Sequence, residues 1–107
     1  NELLQQRMMA DVPRADVILT NPTHYSVALR YDRSKDAAPT VVAKGVDDMA
    51  MQIRKVARES GVPLMEDPPL TRALYRAVKV GHSVPEKFYQ AVATVLSHVY
   101  RINGRTA

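Results

Sequence analysis

Val17-Ile18-Leu19-Thr20-Asn21-Pro22-Thr23-His24-Tyr25-Ser26-Val27-Ala28-Leu29-Arg30-Tyr31 is the stretch that decides the fold. Val17, Ile18 and Leu19 form a short apolar run that ends at Asn21-Pro22, the pattern of a buried strand entering a turn. From Tyr25 the residues alternate, with Tyr25, Val27, Leu29 and Tyr31 on one face and Ser26, Ala28 and Arg30 on the other. Such alternation predicts a second, half-buried strand.

Upstream, residues 2–10 read as a helix, stopped at Asp11-Val12-Pro13 because the residue before Pro is pushed out of helical dihedrals. Downstream, a polar loop over residues 32–36 precedes a third strand at Thr40-Val41-Val42-Ala43, closed by Gly45. Val46, Met49, Ala50, Ile53, Val56 and Ala57 recur at helical spacing, and Gly61 with Pro63 supplies the stop. Residues 63–66 suit a short fourth strand, after which Asp67-Pro68-Pro69 starts a helix with Leu70, Ala73, Leu74 and Ala77 on one face, ended by Gly81. Ser83 and Glu86 fit a capping box for a last helix with Phe88, Ala91, Val92, Val95, Leu96, Val99 and Ile102 on its apolar face, closed by Asn103-Gly104.

This order predicts an α/β fold, a small mixed four-stranded sheet covered by about four helices. Residues 1–12 are expected to form a linker helix towards an upstream region, and residues 13–107 a single domain. The chain opens at Asn1 directly on helix-like sequence, without an initiator Met, which suggests a fragment of a longer protein whose missing upstream portion would hold any membrane anchor.

With 107 residues there is enough chain for one core and too little for two independent ones. At 46% hydrophobic and 24% charged residues, a disordered or collagen-like chain is excluded. The absence of Cys rules out disulfides and thiolate metal sites, and the three His are too scattered to form a site of their own. The apolar runs fall far short of the roughly 20 residues needed to span a bilayer. The charge of +4 would suit an acidic partner, lipid or nucleic acid, but the basic residues are interspersed with acidic ones, and five Tyr and one Phe are few aromatics for a nucleic-acid surface. Solvated helix faces account for the charge better.

An Asn-Pro step between strands is ordinarily a turn, since Asn tolerates unusual dihedrals and Pro fixes its own φ. It also has a chemistry. The Asn21 side-chain nitrogen can attack its own residue's carbonyl carbon, closing a succinimide and expelling Pro22 as a new amino terminus. Deamidation, which starts from attack by the following backbone nitrogen, is blocked because Pro22 lacks an N–H. A rigid turn that holds the amide near its carbonyl could supply an effective molarity of order 10⁵ M or more. A carboxamide is a poor nucleophile, so a proton acceptor or donors to the carbonyl oxygen would help. His24 has two readings, a proton relay or a polar residue at a strand entrance, and geometry must decide between them. The Thr23 hydroxyl is a candidate for orienting the turn.

From Asp16 to Tyr31 the sequence resembles the autocleavage segment of the FlhB/YscU family of type III export proteins, and Ala38-Pro39-Thr40-Val41-Val42-Ala43-Lys44-Gly45 resembles its next block. The likeness continues through Pro69-Leu70-Thr71-Arg72-Ala73-Leu74-Tyr75 and the last helix, and Tyr25-Ser26-Val27-Ala28-Leu29 is similar to the flagellar rather than the virulence-injectisome branch. The resemblance implies the cytoplasmic domain of an integral protein of the bacterial inner membrane that cuts itself once between Asn21 and Pro22. No cofactor and no external substrate are implied, so it would not be a turnover enzyme. The fragments would stay associated, and the cut would permit a change of export from rod and hook proteins to filament proteins. The implied partners are other export components, a hook-length control protein, rod and hook substrates, and the chain's own transmembrane region, with no nucleic acid.

Ala37-Ala38-Pro39 places small apolar residues in a loop before a strand, where a shallow pocket could accept a peptide anchor, and the resemblance implies that Ala93 and Leu96 complete it and that early substrates dock there. Ordinary core packing is the competing account for each of these residues alone. Asp67-Pro68 lacks an amide nucleophile and reads as a helix start. Two rivals remain: a basic nucleic-acid-binding α/β domain, and an interaction domain with an inert Asn-Pro turn.

Overall fold

The computed structural model describes residues 1–22 and 24–103, so Thr23 in the turn and the stop expected at Gly104 lie outside the described residues. Strands β1 (Val17–Asn21), β2 (Tyr25–Arg30), β3 (Thr40–Val46) and β4 (Leu64–Glu66) form one sheet in the order β3-β2-β1-β4. The β1–β2 and β2–β3 pairs are antiparallel and β1–β4 is parallel. The helices are α1 (Glu2–Asp11), α2 (Asp48–Glu59), α3 (Pro68–Ala77) and α4 (Tyr89–Ile102), with 3₁₀ turns at Val12–Arg14 and Glu86–Phe88. The predicted mixed four-stranded sheet with four helices is the architecture observed. No helix among the described residues is long and apolar enough to cross a membrane.

Helices cover both faces of the sheet. Val17, Leu19, Val27, Leu29 and Val41 pack with Leu70 and Leu74 of α3 and Val92, Val95, Leu96 and Val99 of α4. On the other face Ile18, Ala28 and Ala43 meet Ile53 and Ala57 of α2, together with Met8 at the end of α1 and Val12 beyond it. Residues 1–7 of the chain are exposed, so only the end of α1 joins the core.

This two-sided cover corrects the half-buried second strand. Ser26 and Ala28, assigned to an outer face, are fully buried because their small side chains let α2 come close. The Ser26 hydroxyl donates to the Ala50 carbonyl at 3.1 Å and accepts from Arg54 at 3.2 Å, so its polarity is satisfied. Gly45 serves the same approach: a Cβ there would lie 2.4 Å from the Met49 Cγ.

The third strand is longer than expected and includes Val46, which was assigned to the following helix. Its register slips between Ala28–Ala43 and Leu29–Val41, leaving Val42 as the extra residue of a bulge. One extra residue flips the faces: Val41 joins the α3–α4 core whereas Ala43 joins the α2 core. Lys44 is thereby turned towards α3, where its ammonium donates to the carbonyls of Tyr75 at 2.8 Å and Val78 at 2.9 Å. Burial pushes its pKa below the usual 10.5.

Asp67 caps α3 as its sequence suggests, its Oδ1 accepting the Leu70 N–H at 3.3 Å with Pro68 in the first turn. The expected stop at Gly81 is displaced, since α3 ends at Ala77 and Gly81 shapes a later turn at φ 88°. The capping box at Ser83 does not form. Ser83 instead bridges Thr40 along the β3 edge, Val84 donates to Pro39, and α4 begins only at Tyr89 without a side-chain cap. Its buried stripe runs through Val92, Val95, Leu96, Val99 and Tyr100, so Tyr100 takes the place expected of Ala91 and Ile102, both of which are exposed.

Candidate functional site

The antiparallel ladder of β1 and β2 ends at the pair Asn21–Tyr25, and the residues between them make the turn. Its backbone is closed by the His24 N–H, which donates to the Asn21 carbonyl oxygen at 2.9 Å. Attack by the Asn21 amide would place negative charge on that same oxygen, so a donor already faces the atom that needs one. Asn21 is half-buried and Pro22 exposed.

The strand on the entry side is held firmly. The Thr20 carbonyl accepts the Asp67 N–H at 3.0 Å, tying the end of β1 to the start of α3. On the exit side the Tyr25 ring packs on Tyr75 at 4.8 Å between centroids, and the Lys44 ammonium lies 4.9 Å from the Tyr75 centroid. The turn is therefore carried between two fixed strand ends.

His24 has a partner that the sequence did not suggest. Its Nδ1 lies 3.6 Å from Asp47 Oδ1, and its carbonyl accepts the Asp47 N–H at 2.8 Å. Both side chains are largely exposed, so the ion pair itself contributes little to stability. The backbone of Asp47 is more informative. At φ 52° and ψ −114° it is the one positive-φ residue other than Gly among those described, close to the first central position of a type II′ turn. Gly suits that position better, and a side chain there costs of order 1–3 kcal/mol. The carboxylate beside His24 is what Gly would lack. The sequence signal was an Asp at a strand-to-helix junction, one of the residue types that tolerates such dihedrals.

Ala38, Pro39, Ala93 and Leu96, named as candidates for a docking pocket, do come together. With Ala37, Tyr31 and Tyr89 they line an apolar cavity of about 160 Å³. Leu96 is 4% exposed and also belongs to the core, so packing and lining are compatible roles for it. Tyr31 and Tyr89 were not singled out for the pocket. Tyr31 closes the alternation of β2, and Tyr89 was passed over in favour of its neighbour Phe88. The cavity, lined by Tyr31, lies at the opposite end of the β1–β2 pair from the turn.

Flagellar biosynthetic protein FlhB of Bacillus subtilis is 52% identical over 100 residues, covering 94% of this chain and 28% of that protein. The same protein of Salmonella typhimurium is 56% identical over 98 residues, covering 92% and 26%. The chain thus spans about a quarter of the length of these relatives. Among solved structures, the cytoplasmic domain of FlhB from Shewanella putrefaciens matches with a TM-score of 0.89 at 50% identity, over 92% of this chain and 76% of that one. A mutated EscU C-terminal domain matches with a TM-score of 0.83 at 32% identity, over 86% and 92%. The sequence profile of the FlhB HrpN YscU SpaS Family matches residues 1–99, and with this fold and these relatives the chain belongs to that family.

Proposed function

We propose that the chain is the cytoplasmic switch module of a flagellar type III export protein, and that it cuts itself once between Asn21 and Pro22. The observation that best supports the chemistry is the hydrogen bond from the His24 N–H to the Asn21 carbonyl oxygen. The Asn21 side-chain nitrogen adds to the Asn21 carbonyl carbon, charge builds on the held oxygen, and the bond to the Pro22 nitrogen then breaks. The attacking nitrogen gives up one proton, the Pro22 nitrogen takes one up as it leaves, and Asn21 remains as a succinimide. His24, with Asp47 orienting its ring, is the group nearest in sequence that can pass the proton. Thr23 is retained as an orienting candidate.

The ladder from Val17–Leu29 to Asn21–Tyr25 would survive the cut, so the fragments would stay together and only a surface loop would change. In the export apparatus that change would shift selection from rod and hook proteins to filament proteins. The apolar cavity would receive an anchor from early substrates, and a hook-length control protein and other export components would be its further partners. Residues 1–12 would lead to a transmembrane region, placing residues 13–107 at the cytoplasmic face of the inner membrane.

Mass spectrometry of the freshly purified protein tests the cut. Two fragments, ending at Asn21 and starting at Pro22, are expected from the wild type and none from Asn21→Ala. A wild-type chain that stays intact under native conditions would overturn the proposal.

A further inference from the structure

Beyond the apolar cavity the surface changes character in one direction. Its wall residues Tyr31, Ala93 and Leu96 also bound a second hollow of about 170 Å³, completed by Arg33, Ser97 and Tyr100. Tyr31, Arg33 and Tyr100 are shared in turn with a third hollow of about 370 Å³, where Arg14, Arg30, Asp16 and Asp32 join them. Shared walls make these one trough, apolar at the Ala38 end and cationic at the Arg14 end.

Counting charges would leave the cationic end nearly balanced, with three guanidinium groups against two carboxylates. Hydrogen bonding holds both carboxylates in place without cancelling their charge, so the end keeps an excess of one positive charge. Asp16 Oδ2 accepts the Tyr31 N–H at 2.6 Å, fixing the carboxylate to the end of β2. Asp32 Oδ1 accepts both the Ser34 hydroxyl at 2.6 Å and the Ser34 N–H at 3.0 Å, and these bonds hold its carboxyl below the usual 3.8. Arg14, Arg30 and Arg33 are all exposed, and a guanidinium offers paired donors that match a carboxylate.

We propose that the cationic end of the trough is a specificity subsite for acidic side chains flanking the apolar anchor of a docked peptide. The subsite rests on the docking role given to the cavity. It implies that peptides with equal apolar anchors are ranked by the charge beside the anchor.

Fluorescence anisotropy of the whole chain with labelled Gly/Ser peptides tests this. Each peptide carries the same Phe and Leu, flanked on either side by Asp/Glu, by Asn/Gln or by Lys. At low salt the acidic flank on the favoured side should raise affinity about tenfold over the neutral one. The gain should largely vanish near 0.5 M salt, where charges are screened within a few Å. Arg14→Gln with Arg33→Gln should remove the gain, so that acidic and neutral peptides bind alike, and Arg33→Glu should favour the Lys flank. Equal binding of acidic and neutral peptides, or a gain that survives the double variant, overturns the subsite alone. If no peptide with the apolar pair binds, the docking role falls and the subsite with it. Should the double variant lose binding to anionic vesicles while keeping the acidic-peptide gain, the arginines serve a lipid surface and the proposal is wrong.

Discussion

The β1–β2 pair has two ends, about 15 Å apart for the five residues of β1, and they are built on opposite plans. At one end lies the Asn21–His24 turn, where Pro22 and His24 are exposed and Asp47, in strained dihedrals, stands beside His24. At the other, Tyr31 is hydrogen-bonded to Asp16 and shares its walls with the buried Leu96 and Tyr100. The difference shows how one hairpin could carry both the bond proposed to break and the surface proposed to persist. Strand pairing isolates the two, so the proposed cut need not reach the cavity.

The largest expected effect falls on the turn alone. Asn21→Ala should abolish cleavage outright, seen as one intact mass after prolonged incubation, with unchanged affinity for a peptide bearing the apolar pair. A matching loss of peptide binding would show that the ends are coupled.

Leu96→Ala probes the reverse direction. Leu96 is 4% exposed and lines both core and cavity, so truncation should cost about 2–4 kcal/mol in urea unfolding and weaken peptide binding. The cleavage rate under native conditions should hold.

Asp47→Gly sharpens the contrast within the turn. Relief of the strained dihedrals should raise stability by about 1 kcal/mol, while loss of the carboxylate beside His24 slows cleavage several-fold. A variant that is more stable and cleaves at the wild-type rate would strip Asp47 of its orienting role.

The smallest effect belongs to the cationic end. Because the folded-state carboxyl of Asp32 is depressed by the Ser34 hydrogen bonds, its contribution is present above pH 3.8 and is lost as pH falls through the lower folded value. In Ser34→Ala an NMR titration should find the Asp32 midpoint moved up towards 3.8, with little change in stability since the group is exposed.

Much of this was legible from local pattern. Apolar runs, the Asn-Pro turn, the Asp67-Pro68 helix start and the Gly61 stop are local features, and each appears where its chemistry predicts. What escaped depends on neighbours distant in sequence. The box of Ser83 and Glu86 was a sound local signal, yet the backbone there is taken by the edge of β3. Nothing in Thr40-Val41-Val42-Ala43 announces a bulge, because a register shift is a property of the pair. Asp47 was not singled out in the sequence, and only the closing of β3 against the turn shows that it faces His24. The cationic end of the trough gathers Arg14, Arg30 and Arg33 from both sides of the hairpin, a juxtaposition no spacing in the chain encodes.

The sheet order has a final consequence. β1 lies inside the sheet, between β2 and β4. Once nicked, the molecule would no longer be a folded monomer but a complex of two chains, and its melting point would depend on protein concentration as that of the intact chain does not. Departure of the segment before the cut would bare two strand edges at once and empty one wall of each core. Separation should therefore coincide with unfolding of the remainder, and the cleaved state would be retained by slow dissociation rather than by any covalent tie.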